Sequence, residues 1–113
     1  LSAPLVAGSG AGRAYGRVSG DVNPIHLHAL SARPFGYRRA IAHGWWTLPR
    51  ALALMGVDET PTDATRHLEV SYRRPVLLPA EPTLLARVAD PTSAFVLVGA
   101  GGKPHLGGRL RRG

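Results

Sequence analysis

The residues most able to do chemistry stand in one short stretch, YGRVSGDVNPIHLH, at positions 15–28. Asp21 is the only carboxylate among the first 57 residues, which carry six arginines, and His26 follows it by five positions. Asn23 and Pro24 favour a turn between Asp21 and His26, so the side chains of Asp21 and His26 can converge on one water molecule. A carboxylate and an imidazole placed in this way are suited to proton transfer. The alternative is that Asp21 and Asn23 serve only to form the turn.

One helix is predicted downstream of this stretch, within residues 40–56, because apolar residues recur there at steps of three and four. Pro49 lacks an amide proton, so the helix must begin close to Trp45 or kink at the proline. The two adjacent tryptophans cannot share one face, and we expect one in the core and the other against a partner or an acyl chain. The predicted apolar face consists of Ile41, Trp45, Leu48, Leu52 and Met55.

The second half of the chain predicts consecutive antiparallel strands. In residues 65–75 apolar and polar side chains alternate, which is typical of a half-buried strand with Leu68, Val70 and Tyr72 on its inner face. Further strands are predicted at 83–89, 94–99 and 105–110, the last two joined by a glycine-rich hairpin turn. Residues 1–14 are expected to form a short N-terminal strand or linker, and 15–39 a long structured loop. This order indicates an α+β domain.

Composition narrows the possible functions. The 113 residues contain no cysteine, which excludes disulfides and thiolate catalysis, and carry a net charge of +7, which favours anionic ligands. The sequence predicts no membrane span and no signal peptide, so we expect a cytoplasmic protein without a membrane partner. The chain starts at Leu1 without an initiator methionine, so a processed or trimmed piece of a longer protein is one of two expectations, beside a chain that pairs with its own copy.

The stretch SGDVNPIH, together with the later AHG, resembles the signature of the MaoC-like family, the (R)-specific enoyl-CoA hydratases and dehydratases of the hotdog fold. The resemblance covers nearly the whole chain from Tyr15 onward. It implies a single hotdog domain over 15–113, with a curved antiparallel sheet wrapped around the helix near 44–56. The matching residues are Tyr15, Val18, Ser19, Gly20, Asp21, Asn23, Pro24, Ile25 and His26.

The resemblance also implies the reaction and the residues that perform it. The expected activity is the interconversion of trans-2-enoyl and (R)-3-hydroxyacyl thioesters, without metal or redox cofactor. Asp21 and His26 would be the catalytic pair, and Asn23 would orient the pair or the water. Gly44 stands where the helix begins, at the positive end of its dipole, and would donate its amide to an oxyanion hole.

Partners follow from the same resemblance. The substrate would be a thioester of coenzyme A or of acyl carrier protein, and some arginines would meet the carrier. Hotdog domains usually pair, so we expect a homodimer or one half of a chain with two such domains.

Three alternatives stay open. The domain could bind an acyl thioester without turning it over. It could be a basic nucleic-acid-binding module. Two observations argue against this alternative: no predicted helix has a basic face, and no strand carries the aromatic platform typical of RNA-binding domains. His26 and His28 could also be two metal ligands, although the sequence shows no third one. Accordingly, neither nucleic acid nor metal is predicted as a ligand, and His28, His43, His67 and His105 are assigned no role.

Overall fold

The computed structural model describes residues 1–57 and 65–112. Within these residues one short strand is followed by three α-helices and then by four strands, which are β1 Ser2–Pro4, α1 Ala11–Ser19, α2 Ala29–Ala32, α3 Gly44–Leu54, β2 Arg66–Tyr72, β3 Thr83–Arg87, β4 Thr92–Val98 and β5 Pro104–Arg112. Short 3-10 helices cover Pro24–His26, Arg33–Phe35 and Ala100–Gly102. None of the helices in these two segments is long and apolar enough to cross a membrane.

Contacts between residues group the chain into two compact units. One consists of residues 1–5, 49–74 and 82–113, and it contains the sheet. The other consists of residues 6–48 and 75–81, and it contains the stretch in which the sequence places Asp21 and His26. The candidate site therefore belongs to the second unit alone.

The sheet of the first unit is antiparallel throughout, with strand order β1-β3-β4-β5-β2. Along β4, which is the central strand, the buried side chains of Ser93, Phe95 and Leu97 alternate with more exposed ones, as expected for a strand with one covered face. The four strands predicted in the second half of the chain are confirmed. The core of the sheet is formed by Leu84, Phe95, Leu97, Leu106 and Leu110.

The predicted inner face of β2 is wrong in part. Leu68 and Tyr72 are 41% and 54% exposed, although they alternate with polar residues as the sequence analysis required. The physical reason is the position of β2, which pairs with β5 at the edge of the sheet. An edge strand gains less cover from its neighbours than a central one, so its alternation does not ensure burial.

The N-terminal third contains a helix that the sequence analysis missed. Residues 1–14 were expected to be a strand or linker and 15–39 a loop; β1 is the predicted strand, but α1 occupies Ala11–Ser19. Glycine lowers helix propensity by about 1 kcal/mol relative to alanine. Because Gly12 and Gly16 lie inside α1, the sequence of this segment does not predict a helix. Both glycines are buried, which shows that they lie on the packed face of the helix.

The predicted central helix is present as α3, with Pro49 inside it. Its apolar face differs from the prediction, because Trp45 is 74% exposed while Leu48, Ala51 and Met55 are buried. The predicted periodicity was counted from Ile41, which lies before the helix and forms a β-bridge with Leu77. Trp46, rather than Trp45, is the half-buried tryptophan.

Candidate active site

Helix α1 lies directly against the loop that follows it. A Cβ atom on Gly12 would collide with the main-chain carbonyl of His26, and one on Gly16 would come within 3.0 Å of the carbonyl oxygen of Asp21. The two glycines are four residues apart and so lie on the same face of the helix. Their missing side chains allow the backbone that carries Asp21 and His26 to approach the helix closely.

The end of α1 sets the direction in which Asp21 leaves the helix. Gly20 adopts φ 81°, a left-handed conformation that glycine accepts without strain, and its amide bonds to the carbonyl of Gly16. The Asp21 amide then donates to Ser19 Oγ at 3.1 Å. The chain reverses here, and the Asp21 side chain remains 52% exposed.

A short 3-10 turn, Pro24–His26, places the histidine. Asn23 caps this turn, because its side-chain oxygen accepts the Ile25 amide at 3.2 Å, and Asp21 Oδ1 accepts the Asn23 amide at 3.3 Å. The side-chain oxygen of Asn23, Oδ1, is thus used to stabilise the turn. Asn23 thus connects the two proposed catalytic residues: its amide donates to the Asp21 side chain, and its main-chain carbonyl accepts the His26 amide.

His26 has a defined tautomer. Its Nδ1 lies 2.7 Å from the main-chain carbonyl of Ile41, and a carbonyl can only accept, so Nδ1 carries the proton. The neutral ring therefore has its lone pair on Nε2. Ile41 is itself fixed, because its amide donates to the Ile25 carbonyl at 2.8 Å and it forms the bridge with Leu77.

The unprotonated nitrogen of His26 lies near the carboxylate of Asp21. Nε2 and Oδ2 are 3.9 Å apart, which is too long for a direct hydrogen bond and suits two groups that share a water molecule or a substrate atom. The His26 side chain is 11% exposed and that of Asp21 is 52% exposed. One partner is therefore held by the protein interior, and the other is open to an incoming ligand.

His43 also reaches this cluster, and the sequence analysis did not assign it. Its Nε2 lies 2.9 Å from the Asp21 main-chain carbonyl and 3.8 Å from Asp21 Oδ2. Its ring stacks on that of His26 with centroids 3.7 Å apart. The AHG string carries no distance information, so only the fold could reveal that His43 and His26 meet.

Oδ2 of Asp21 and a nitrogen of each of His26 and His43 lie within 4.8 Å of one another, a spacing that a metal ion could use. The hydrogen bonds argue for a different purpose. Because His43 Nε2 lies 2.9 Å from a carbonyl oxygen, this nitrogen carries a proton and the lone pair is on Nδ1. With both imidazoles anchored to carbonyls, only His26 Nε2 and the Asp21 carboxylate are left to act as metal ligands, whereas the same two groups could exchange a proton.

The remaining predicted site residues are placed as follows. Gly44 is the first residue of α3 and directly follows His43. His28 is exposed, and its Nδ1 lies 3.2 Å from Arg13 Nη1. Arg13 also donates to the Leu27 carbonyl at 2.7 Å. His28 thus contacts Arg13 where α1 meets the residues after the 3-10 turn, and it is not part of the cluster around His26.

Comparison with known proteins identifies the family. The model of the MaoC like domain matches residues 10–102. This chain belongs to the MaoC-like family. A curated relative, 3-hydroxyacyl-thioester dehydratase X of Mycobacterium tuberculosis, is 38% identical over 100 residues, which are 88% of this chain and 35% of the relative. The chain thus spans about a third of the length of that protein.

Solved structures of MaoC-like proteins agree with the fold. HtdX from Mycobacterium tuberculosis superimposes with a TM-score of 0.85 at 34% identity, over 96% of this chain and 43% of HtdX. The R-hydratase PhaJ1 from Pseudomonas aeruginosa gives a TM-score of 0.80 at 20% identity, over 99% of this chain and 77% of PhaJ1. The predictions of the MaoC-like family and of the hotdog fold, with its antiparallel sheet and central helix, are thereby confirmed.

Proposed function

We propose that this chain is a hydratase and dehydratase of acyl thioesters, which interconverts trans-2-enoyl and (R)-3-hydroxyacyl forms. The observation that carries the proposal is the 3.9 Å distance between Asp21 Oδ2 and His26 Nε2, the ring nitrogen that is left unprotonated when Nδ1 donates to Ile41. The name of the relative from Mycobacterium tuberculosis, a 3-hydroxyacyl-thioester dehydratase, describes the same class of reaction.

The reaction requires no net change in the protonation of the protein. In the hydration direction the water oxygen bonds to carbon 3, the double-bond electrons move toward the thioester, and a proton is delivered to carbon 2. His26 Nε2 receives a proton from the attacking water, and the Asp21–His26 pair returns one proton to carbon 2. Dehydration is the reverse, with the hydroxyl group leaving as water.

Gly44 is the proposed oxyanion donor. During the reaction the thioester oxygen gains negative charge, and an amide at the start of a helix meets that charge with the positive end of the helix dipole. A glycine at the first position of α3 keeps the backbone accessible to a carbonyl group. We include Asn23 as the residue that orients the pair, through the cap that it provides to the turn carrying His26.

The carrier and the assembly are part of the same proposal. We propose a coenzyme A or acyl carrier protein thioester as substrate, and pairing with a second hotdog domain, either a copy of this chain or a domain of the same polypeptide. The 35% coverage of the curated relative supports the second arrangement, because the remainder of that protein has room for another such domain.

The test is a hydration assay on crotonyl-CoA, followed by the loss of absorbance of the enoyl thioester. The parent chain is compared with Asp21→Asn and His26→Ala, each of which we expect to lower kcat by about 10²–10⁴-fold, the usual contribution of a general acid or base. Asp90→Asn and His67→Ala are the matched controls, because both residues are exposed and lie in the unit that does not contain the site.

The assay has two decisive outcomes. Loss of activity in the two site variants, with the controls unchanged, supports the assignment. Equal rates in all five proteins, or no turnover by the parent while it still binds crotonyl-CoA, would leave a domain that binds acyl thioesters without converting them.

A further inference from the structure

We propose that His43 is a positioning residue of this site, which fixes the positions of the Asp21 backbone and the His26 ring relative to the start of α3. The inference rests on the proposed function for its catalytic consequence, but its structural part stands on contacts of His43 itself. It concerns the one buried imidazole of the cluster to which the reaction assigns no proton.

The side chain of His43 touches both members of the proposed pair. Its Nε2–H donates to the Asp21 main-chain carbonyl at 2.9 Å, and its ring stacks on His26 at 3.7 Å with the planes inclined by 23°. The Tyr15 ring of α1 also meets it in an edge contact, with centroids 4.8 Å apart. His43 is thus enclosed between α1 and the loop that carries Asp21 and His26.

The main chain of His43 connects the same cluster to α3. Its carbonyl oxygen accepts the amides of Trp46 and Thr47 at 3.1 and 3.0 Å, and the Thr47 hydroxyl at 3.0 Å. These bonds make His43 the residue from which the helix starts, immediately before Gly44. One residue therefore connects the proton-transfer groups to the proposed oxyanion amide, so their separation is set by a single rigid link.

Stability alone does not account for an imidazole at this position. His43 is only 3% exposed, and within residues 1–57 and 65–112 no group bonds to its Nδ1. Burying an acceptor without a partner costs free energy, and a phenylalanine ring would fill the space and keep both ring contacts without that cost. What phenylalanine cannot supply is the N–H that holds the Asp21 carbonyl.

Two substitutions separate the ring from the hydrogen bond. His43→Phe keeps a ring against His26 and Tyr15 but removes the donor, whereas His43→Gln keeps a donor at comparable reach without the ring. We expect His43→Phe to be at least as stable as the parent and to lower kcat by about 10–100-fold with KM changed less than about threefold, because small displacements of reacting groups are costly. His43→Gln should recover part of kcat.

Hydrogen exchange gives a readout that does not depend on turnover. In His43→Phe we expect the amides of Ile25 and His26, which bond to Asn23, to exchange at least about tenfold faster, while the buried amide of Leu97 in β4 is unchanged. Nitrogen NMR of the parent should show His43 as the neutral tautomer protonated at Nε2.

The outcomes distinguish this inference from the proposed function. If the parent has no hydratase activity, the proposed function fails, and faster exchange at Ile25 and His26 still supports the positioning role. If His43→Phe leaves both kcat and these exchange rates at the parent values, or if the NMR spectrum places the proton on Nδ1, the positioning role is overturned. Should His43→Phe fail to fold, the same exchange measurement on His43→Gln decides, because a retained donor predicts protection near that of the parent.

Discussion

The imidazole of His26 lies face to face with that of His43, with centroids 3.7 Å apart, and each ring is anchored to a main-chain carbonyl. His26 donates from Nδ1 to Ile41, and His43 donates from Nε2 to Asp21. The two rings therefore have opposite tautomers although they occupy nearly the same environment. Backbone acceptors, and not solvent, determine which nitrogen of each ring is available for chemistry.

Gly12→Ala is expected to lower both stability and activity. Alanine would normally gain about 1 kcal/mol of helix propensity, but its Cβ would collide with the carbonyl of His26, which cannot move without disturbing the 3-10 turn. We expect a net loss of about 1–3 kcal/mol in the free energy of unfolding and a reduction in kcat of at least about tenfold. Urea unfolding and the crotonyl-CoA assay measure the two effects.

Gly10→Ala is the control for this change. It lies at the start of the same helix, and its Cβ would meet only the end of the Arg13 side chain at 3.5 Å. Parent-like kcat in Gly10→Ala together with reduced kcat in Gly12→Ala supports the close approach. Parent-like kcat in both variants would show that the close packing of α1 does not determine the position of the loop that carries Asp21 and His26.

Asn23→Ala is expected to destabilise the protein by about 1 kcal/mol, the usual cost of losing a side-chain cap. Asn23→Ser retains an oxygen that can accept the Ile25 amide, and it should regain most of the stability and of kcat. If Asn23 acts on the substrate through its amide nitrogen instead, Asn23→Ser will have parent stability and a raised KM. Thermal unfolding and steady-state kinetics on the same samples distinguish the two roles.

Arg13→Met should loosen the junction between α1 and the 3-10 turn. It removes the 2.7 Å bond to the Leu27 carbonyl, and because the bond is only partly buried we expect a loss of about 1 kcal/mol and a reduction of a few-fold in kcat. Arg17→Met, on the exposed surface of the same helix, is the charge-matched control. If the two substitutions have equal effects at low salt and both effects disappear at high salt, general electrostatics and not this bond is responsible.

Leu84→Ala and Leu85→Ala test the register of β3. Leu84 is 0% exposed and Leu85 is 42% exposed, so neighbouring residues should respond very differently. We expect Leu84→Ala to cost about 2–5 kcal/mol, as for other buried leucines, and Leu85→Ala less than about 1 kcal/mol. A reversed order in urea unfolding would mean that the strand presents the opposite face to the core.

Most of the sheet could be predicted from the sequence, because β2 alternates apolar with polar residues and β3, β4 and β5 lie in short runs rich in apolar and branched residues. The same rule failed for the exposure of Leu68 and Tyr72, since alternation reports a repeating pattern and not a strand's place in the sheet. Trp45 illustrates a related limit. Its spacing from Ile41 fits a helix, but the helix begins after Ile41, so the count started outside it.

The site was predictable where its residues are close in sequence and unpredictable where they are not. Asp21, Asn23 and His26 share one turn, whose residue types indicate its shape. His43 lies 17 residues beyond His26 in sequence, and nothing in its flanking residues specifies which ring it will meet. Gly12 and Gly16 did provide a signal, a four-residue spacing of small residues, but glycine is also common in linkers and loops, so this spacing alone does not predict a helix.

The bond from His26 to Ile41 has a stereochemical consequence. It prevents the ring from turning over, so Nε2 always faces Asp21, from which it is 3.9 Å away. Two groups this close cannot stand on opposite faces of a planar double bond, because the substrate would have to fit between them. In the proposed hydration, hydroxyl and hydrogen would then enter from the same face of the alkene, and the Ile41 carbonyl that orients His26 would make the addition syn.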